Sequence, residues 1–537
     1  MAPATPSPFP DTFNIAEYFL DRPAREHPRR TAIAGVGRAF TYGELAELAN
    51  RAGNALLAAG IARGDRVLLA LPDSAEFIAA FFAAAKIGAV AVPVNSLARA
   101  SDYAHYLSDC GARIAVVHSS ILPEFLPASG ETPQTQIVIV GDEQAETGGV
   151  RCLKWSAWTG GASSTLAVVP TSSCDTAFFL YTSGSGGQPK GAVHRHKDML
   201  AASRGFGQGV LGLRAEDVTF SVSKLFFAYG LGNGMYFPFS VGAATILNPE
   251  RTKIDAVAEI VGRHKPTVLF SVPTFYAALL REAESGRRMD FSSVRLAVSA
   301  GEALPAEIFE RFRSKFGLEI LDGIGSTEML HMFLSSRPGQ ARPGSCGFPV
   351  PTYEAKIVDD SGEPVKTGEL GNLWVRGESA FAGYWHKDAL TERTKRPGEW
   401  VVTGDKFTCD ADGYFHYCGR ADDMMKVAGM WVSPGEVENA LLSHPQVAEG
   451  AVVGVTTPEG LTLEVAYVVL REAAKQTPQL GQEIREHLKA RLASYKCPRE
   501  IRFCAELPKT TTGKIQRFKL REHSGALQEK DSQRGEG

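Results

Sequence analysis

The stretch YTSGSGGQPKGAVH, Tyr181–His194, separates two apolar strand-like runs, AFFLY at Ala177–Tyr181 and the return at Gly191–His194, and its polar middle suits phosphate. Gly184, Gly186, Gly187 and Gly191 let the backbone turn tightly and aim several N–H groups at one anion. Thr182, Ser183 and Ser185 add hydroxyl donors, and Lys190 adds charge. A Walker A loop needs Gly-Lys followed by Ser or Thr at a helix start, and Pro189-Lys190-Gly191 breaks that pattern. Local composition also admits a plain hairpin loop, so the rest of the chain must decide.

With 537 residues the chain is too long for one core, and roughly three to four domain-sized units are expected. A formal net charge of -3 supplies no basic field, so no nucleic-acid partner is expected. The N-terminal MAPATPSPFP lacks a basic and an apolar region and reads as a loose arm, not an export signal. The longest apolar run, Phe77–Val94, holds Lys86 and Pro93 and follows a helix start at Asp73–Glu76. It reads as a buried helix feeding a strand, with no membrane partner. The cysteines form no CxxC pair and no histidine cluster joins them, as expected of reduced thiols in a cytoplasmic protein.

Up to about residue 420 helical patterns alternate with short β-branched runs. Thr41 and Glu44 form a capping box ahead of Leu45, Leu48, Ala52 and Leu56 on one face. Residues 66–71, 136–140, 267–271 and 294–299 read as strands and 273–280 as a helix, which together predict a layered α/β architecture. Composition shifts near Gly419–Asp422. Beyond it Ser433-Pro434-Gly435-Glu436 opens a helix, strands are expected at 450–455, 463–470 and 501–504, and a helix near 482–492. This predicts a small α+β domain followed by a polar tail from about 522.

Four further stretches stand in order behind the loop: SAGEALP at 299–305, LDGIGSTEMLH at 321–331, TGD at 403–405 with GRADD at 419–423, and PKTTTGKIQR at 508–517. With the loop, they resemble the acyl-adenylate-forming superfamily over about residues 15–520. LFFAYGLGNG at 225–234 and IGSTEMLHMF at 324–333 look most like benzoate-CoA ligases and their hydroxybenzoate relatives. The resemblance implies a large N-terminal domain of layered sheets (1–421), a hinge at Asp422, a small mobile α+β domain (423–521) and a tail (522–537). It implies ATP, Mg²⁺ and coenzyme A, and a reaction in which a carboxylate attacks the α-phosphate to give acyl-AMP before the CoA thiol displaces AMP. The alternatives are another aryl-acid CoA ligase, an enzyme loading a carrier protein, and an inactive nucleotide-binding homologue.

By the same resemblance Lys514 is the cation on carboxylate and α-phosphate, Thr327 bonds the α-phosphate and Glu328 holds Mg²⁺. Fixed cations suit this chemistry because negative charge gathers on the α-phosphate oxygens and the departing pyrophosphate in the transition state. Gly301, Glu302, Asp322 and Gly323 fall in the adenine-binding segments. Asp405 and Arg420 fit the ribose, and Gly429 the pantetheine tunnel. Two departures stand out: Gly186 replaces the usual threonine of the loop, and Ile324 replaces a tyrosine that stacks on adenine.

The acyl-pocket candidates are Ala228, Tyr229, Gly230, Ala300, Gly301, Ile324 and His331, small residues beside an aromatic wall that suit a flat ring. No acidic residue lies between Ser221 and Ser240 to pair an ammonium, which disfavours amino acids. His331 is expected either at the ring's far end or as a structural histidine, and His194 with His196 as structural. Expected partners are an aryl carboxylate and CoA, with a homodimer and a lysine acetyltransferase or deacetylase acting on Lys514 as further expectations.

Overall fold

A computed structural model describes residues 9–35, 37–142, 144, 146–183, 188–250, 252–427, 430–456, 462–471, 476–509 and 515–522. Among them the chain up to Arg420 forms sheets of nine, eight and five strands, and the remainder forms a two-stranded and a three-stranded sheet. The nine-stranded sheet has a parallel centre in which Val218–Ser221, Val268–Ser271, Leu296–Ser299 and Ile320–Gly325 are successive neighbours. The eight-stranded sheet is parallel from Thr176–Ser183 through Val90–Pro93, Arg66–Ala70 and Ile114–His118 to Gln136–Val140. Parallel strands are buried on both faces, which is why they read as unbroken apolar runs. The five-stranded sheet is antiparallel and carries Trp400–Cys409 beside Phe415–Arg420.

Local rules hold where they were legible. Thr41 caps Tyr42–Ala58 in a full capping box with Glu44, a feature worth about 1 kcal/mol. Ser433 likewise caps Pro434–Leu442. The apolar run resolves into the helix Ala75–Lys86 and the strand Val90–Pro93. Phe77, Ile78, Phe81 and Phe82 are fully buried there. Lys86 ends that helix almost wholly buried, and its ammonium is paired with Asp21 at 2.7 Å and with the Asn50 side chain. An unpaired ammonium at that depth would not be tolerated. In the small unit the strands Val447–Thr456, Thr462–Leu470 and Glu500–Phe503 form one sheet under Pro434–Leu442 and Pro478–Lys489.

The parallel centre of the nine-stranded sheet positions the site. Ser271 and Ser299, at the carboxyl ends of adjacent strands, lie in register with Asp322 of the next, at the edge where open α/β sheets bind ligands. The loops leaving that edge open into one cavity of about 830 Å³.

Candidate active site

One part of the cavity is built on the hairpin of Thr176–Ser183 and Pro189–Arg195, where Thr182 pairs with Lys190 and Ser183 with Pro189. Gly184, Ser185, Gly186 and Gly187 lie outside the described residues. Lys190 Nζ donates to Tyr384 Oη at 2.7 Å and stands 3.7 Å from Glu328 Oε1. Tyr384 Oη in turn donates to Glu328 Oε1. Burial draws the Lys190 ammonium below the ordinary lysine value, and Glu328 works against that fall. A cation and a carboxylate are thus held a fixed distance apart by one neutral phenol.

The turn bearing Thr327 and Glu328 is fastened through its backbone. His194 Nε2 donates to the Thr327 carbonyl at 2.8 Å, and the Phe381 N–H donates to the Glu328 carbonyl at 2.8 Å. The other ring nitrogen of His194 faces Asp198 at 3.1 Å. The strand ends at Arg195, so His196 opens a helix and its Nδ1 accepts from the Ile15 N–H at 3.2 Å. Both histidines are structural. Among the described residues no three histidine, cysteine or acidic side chains gather as a metal nest.

In another part of the cavity Gly301 follows the strand Leu296–Ser299 with φ +96°, a conformation that glycine adopts without strain. Gly301, Glu302, Gly323 and Ile324 line the cavity. Asp322 stands just behind them. Its Oδ2 accepts from the Leu304 N–H at 3.4 Å, its Oδ1 has no partner, and burial lifts its pKa to about 8. An orphaned, buried carboxyl oxygen fits the exocyclic amine of a purine. Across the cavity Asp405 and Arg420 face each other on neighbouring strands at 3.1 Å, and Arg420 also donates to the Thr403 carbonyl at 3.0 Å.

The small unit closes the cavity with Glu438, Lys509 and Arg517. Lys514 and Gly429 lie outside the described residues, but the base of the segment 510–514 is well tied. Lys509 bridges to Ile515 and pairs with Glu449 at 2.6 Å, and the Gln516 N–H donates to the Pro508 carbonyl at 2.8 Å. Arg517 donates to both Glu438 oxygens at 2.9 and 2.8 Å. Asp422 is exposed between two anchors: the Ala421 N–H bonds the Gly404 carbonyl on one side, and Asp423 takes Arg521 at 2.8 Å on the other.

Of the acyl-pocket candidates, Gly301 and Ile324 line the cavity, whereas Ala228, Tyr229, Gly230, Ala300 and His331 pack behind that lining. Tyr229 Oη donates to the strand-end carbonyls of Ser271 at 3.3 Å and Val298 at 3.4 Å. A Cβ on Gly230 would lie 2.0 Å from the Lys224 carbonyl oxygen, so only glycine fits. Tyr384 and Arg517 were not legible as site residues, since Tyr384 meets Lys190 across 194 positions. The π-helical turn Gly232–Tyr236 was not legible either, because sequence periodicity does not announce it.

Comparison with known proteins agrees with this geometry. Residues 20–385 match the AMP-binding enzyme family and residues 436–514 the AMP-binding enzyme C-terminal domain. The chain is 42% identical over 516 residues to a benzoate-CoA ligase of Thauera aromatica, covering 95% of this chain and 96% of that protein. It is 40% identical to a 4-hydroxybenzoate-CoA/benzoate-CoA ligase of Rhodopseudomonas palustris, covering 95% and 94%. The anthranilate CoA ligase AuaEII in complex with anthranoyl-AMP superposes with a TM-score of 0.89 at 41% identity, covering 96% of this chain and 98% of that one. With a cavity lined by both matched units and relatives along nearly its whole length, the chain belongs to the AMP-binding enzymes of the acyl-adenylate-forming superfamily.

Proposed function

We propose that the chain is an AMP-forming acid-thiol ligase that joins a benzoate-type aromatic acid to coenzyme A through an acyl-AMP intermediate. The observation that carries this is one cavity in which Lys190, Thr327, Glu328, Asp405 and Arg420 meet the small unit's Arg517. Relatives with nearly full coverage and an aryl-acid ligase name support the substrate class.

Asp405 would accept from the ribose hydroxyls, with Arg420 holding its carboxylate in place, and the free Asp322 oxygen would receive the adenine amine. Lys190 and the Thr182 hydroxyl would take the outer phosphates, and Thr327 the α-phosphate. Glu328 suits Mg²⁺, because that ion is commonly held by one or two carboxylates plus substrate phosphates and needs no closed protein cage. Bound there, it would neutralise charge on the departing pyrophosphate. Lys514, on the segment hung from Lys509 and Arg517, would meet the attacking carboxylate and the α-phosphate. A swing of the 423–521 unit about Asp422 would then bring Gly429 to the pantetheine chain.

The reading carries three finer proposals. The protein works in the cytoplasm, it forms a homodimer to be read by light scattering, and acetylation silences adenylation by removing the Lys514 charge. The central test is AMP release from ATP and Mg²⁺ with benzoates, cinnamates and fatty acids, each with and without CoA. CoA-dependent turnover on an aromatic acid supports the reading. Turnover without need of CoA favours carrier loading, and no turnover with any acid overturns it.

A further inference from the structure

Three successive carbonyls, those of Thr327, Glu328 and Met329, each take a donor from outside their turn. His194 Nε2 serves Thr327 at 2.8 Å, the Phe381 N–H serves Glu328 at 2.8 Å and Ser379 Oγ serves Met329 at 2.7 Å. The next residue, Leu330, has φ +66°, a conformation that a bulky L side chain keeps only where its surroundings force it. The turn that brings Thr327 and Glu328 to the cavity is thus held against its own preference.

His194 is the donor that shares a strand with Lys190. The two stand four residues apart on Pro189–Arg195, so their side chains leave the same face. Lys190 stands 3.7 Å from the Glu328 carboxylate, and His194 holds the carbonyl of the residue just before it. The strand belongs to the eight-stranded sheet, whereas the turn follows Ile320–Gly325 of the nine-stranded one. One imidazole therefore ties the two sheets together where their charged side chains meet.

The ring is itself immobilised. It is fully buried and stacked on Phe178 of the neighbouring strand at 5.2 Å. Asp198, also fully buried, faces Nδ1 at 3.1 Å and is fixed in turn by the Arg195 N–H at 3.0 Å and Arg195 Nε at 3.2 Å. A carbonyl only accepts, so Nε2 carries a proton toward Thr327.

We propose that His194 is a positioning residue for adenylation, setting Glu328 against Lys190 and so the hold of this chain on magnesium and the ATP phosphates, without touching either. The proposal rests on the ligase reading for its chemistry and on the two-sheet contact for its geometry.

The test compares the wild type with His194→Phe, which keeps a flat ring against Phe178 but loses the donor, and with His194→Gln, whose amide can still donate to the Thr327 carbonyl. Pyrophosphate exchange with the preferred aromatic acid is followed as Mg²⁺ is titrated, thioester formation is followed from supplied acyl-AMP and CoA, and ATP binding with and without Mg²⁺ is followed by calorimetry. In His194→Phe exchange should fall about tenfold and need more Mg²⁺, and Mg²⁺-dependent ATP binding should weaken by a similar factor, while thioester formation hardly changes. His194→Gln should recover most of the loss. A merely structural role would lower both half-reactions together and leave the Mg²⁺ requirement as it was; that outcome, or an unaltered His194→Phe, would overturn the proposal. Should His194→Phe not fold, His194→Met places a flexible apolar chain in the same space and answers the same comparison. A wild type that exchanges pyrophosphate with no aromatic acid would instead sink the ligase reading, and Mg²⁺-dependent ATP binding would still decide the role of His194.

Discussion

Lys190 and Glu328 do not form a close ion pair; they stand 3.7 Å apart and share the hydroxyl of Tyr384. Direct contact would lock each charge onto the other. On the proposed function, the phenol would leave both free to meet a bound phosphate and its metal.

Tyr384→Phe should therefore weaken ATP use more than the fold. Losing a hydrogen bond to charged partners is worth about 1.5 kcal/mol, so kcat/KM for ATP should fall about tenfold in pyrophosphate exchange. An unchanged value would show that the bridge has no part in placing the two charges.

Asp322 makes stability depend on pH in a defined direction. Its folded pKa of about 8 lies above its ordinary 3.8, so between these values the folded state holds a proton that the unfolded state has released. Its contribution to stability is full below the ordinary value and is lost as pH rises through about 8. The slope is at most about 1.4 kcal/mol per pH unit. Thermal melts of the wild type and Asp322→Asn at pH 6 and 8 should differ, with the variant the flatter of the two.

Glu438 holds Arg517 with both oxygens and also accepts from the Val452 N–H at 2.8 Å. Glu438→Ala leaves a largely buried guanidinium without its main partner, which should cost about 3 kcal/mol in denaturant unfolding of the small unit. Acyl-AMP formation should drop further than thioester formation from supplied acyl-AMP, because Arg517 stands three residues beyond Lys514 in the chain. Equal losses in the two half-reactions would count against that link.

Gly230→Ala forces a methyl group to within 2.0 Å of the Lys224 carbonyl oxygen. Overpacking of this kind costs about 1–3 kcal/mol. The melting temperature should fall, and KM for the aromatic acid should rise more than KM for ATP, since the shift lands beside Tyr229. A raised KM for ATP alone would place Gly230 elsewhere in the reaction.

Much of this was legible in the chain because the signals were local. Thr41 with Glu44, the Ser433-Pro434 helix start and the apolar parallel strands each express their own short-range physics. The ordered motifs brought Thr327, Glu328, Asp405 and Arg420 into one cavity before any coordinates. Partnerships across the fold stayed hidden: nothing near Tyr384 points to Lys190, and nothing near Lys86 points to Asp21. Helical periodicity also gave no warning of the π-helical turns at Ser203–Gln208 and Gly232–Tyr236.

The exposed residue Asp422 has one more consequence. No sheet crosses it: the strands up to Arg420 pair only among themselves, as do those from Met425 onward among the described residues. A protease cutting at this point severs a single covalent thread and no ladder of backbone hydrogen bonds. Limited digestion should thus release two folded bodies, and ligands that pin them together should slow the nick.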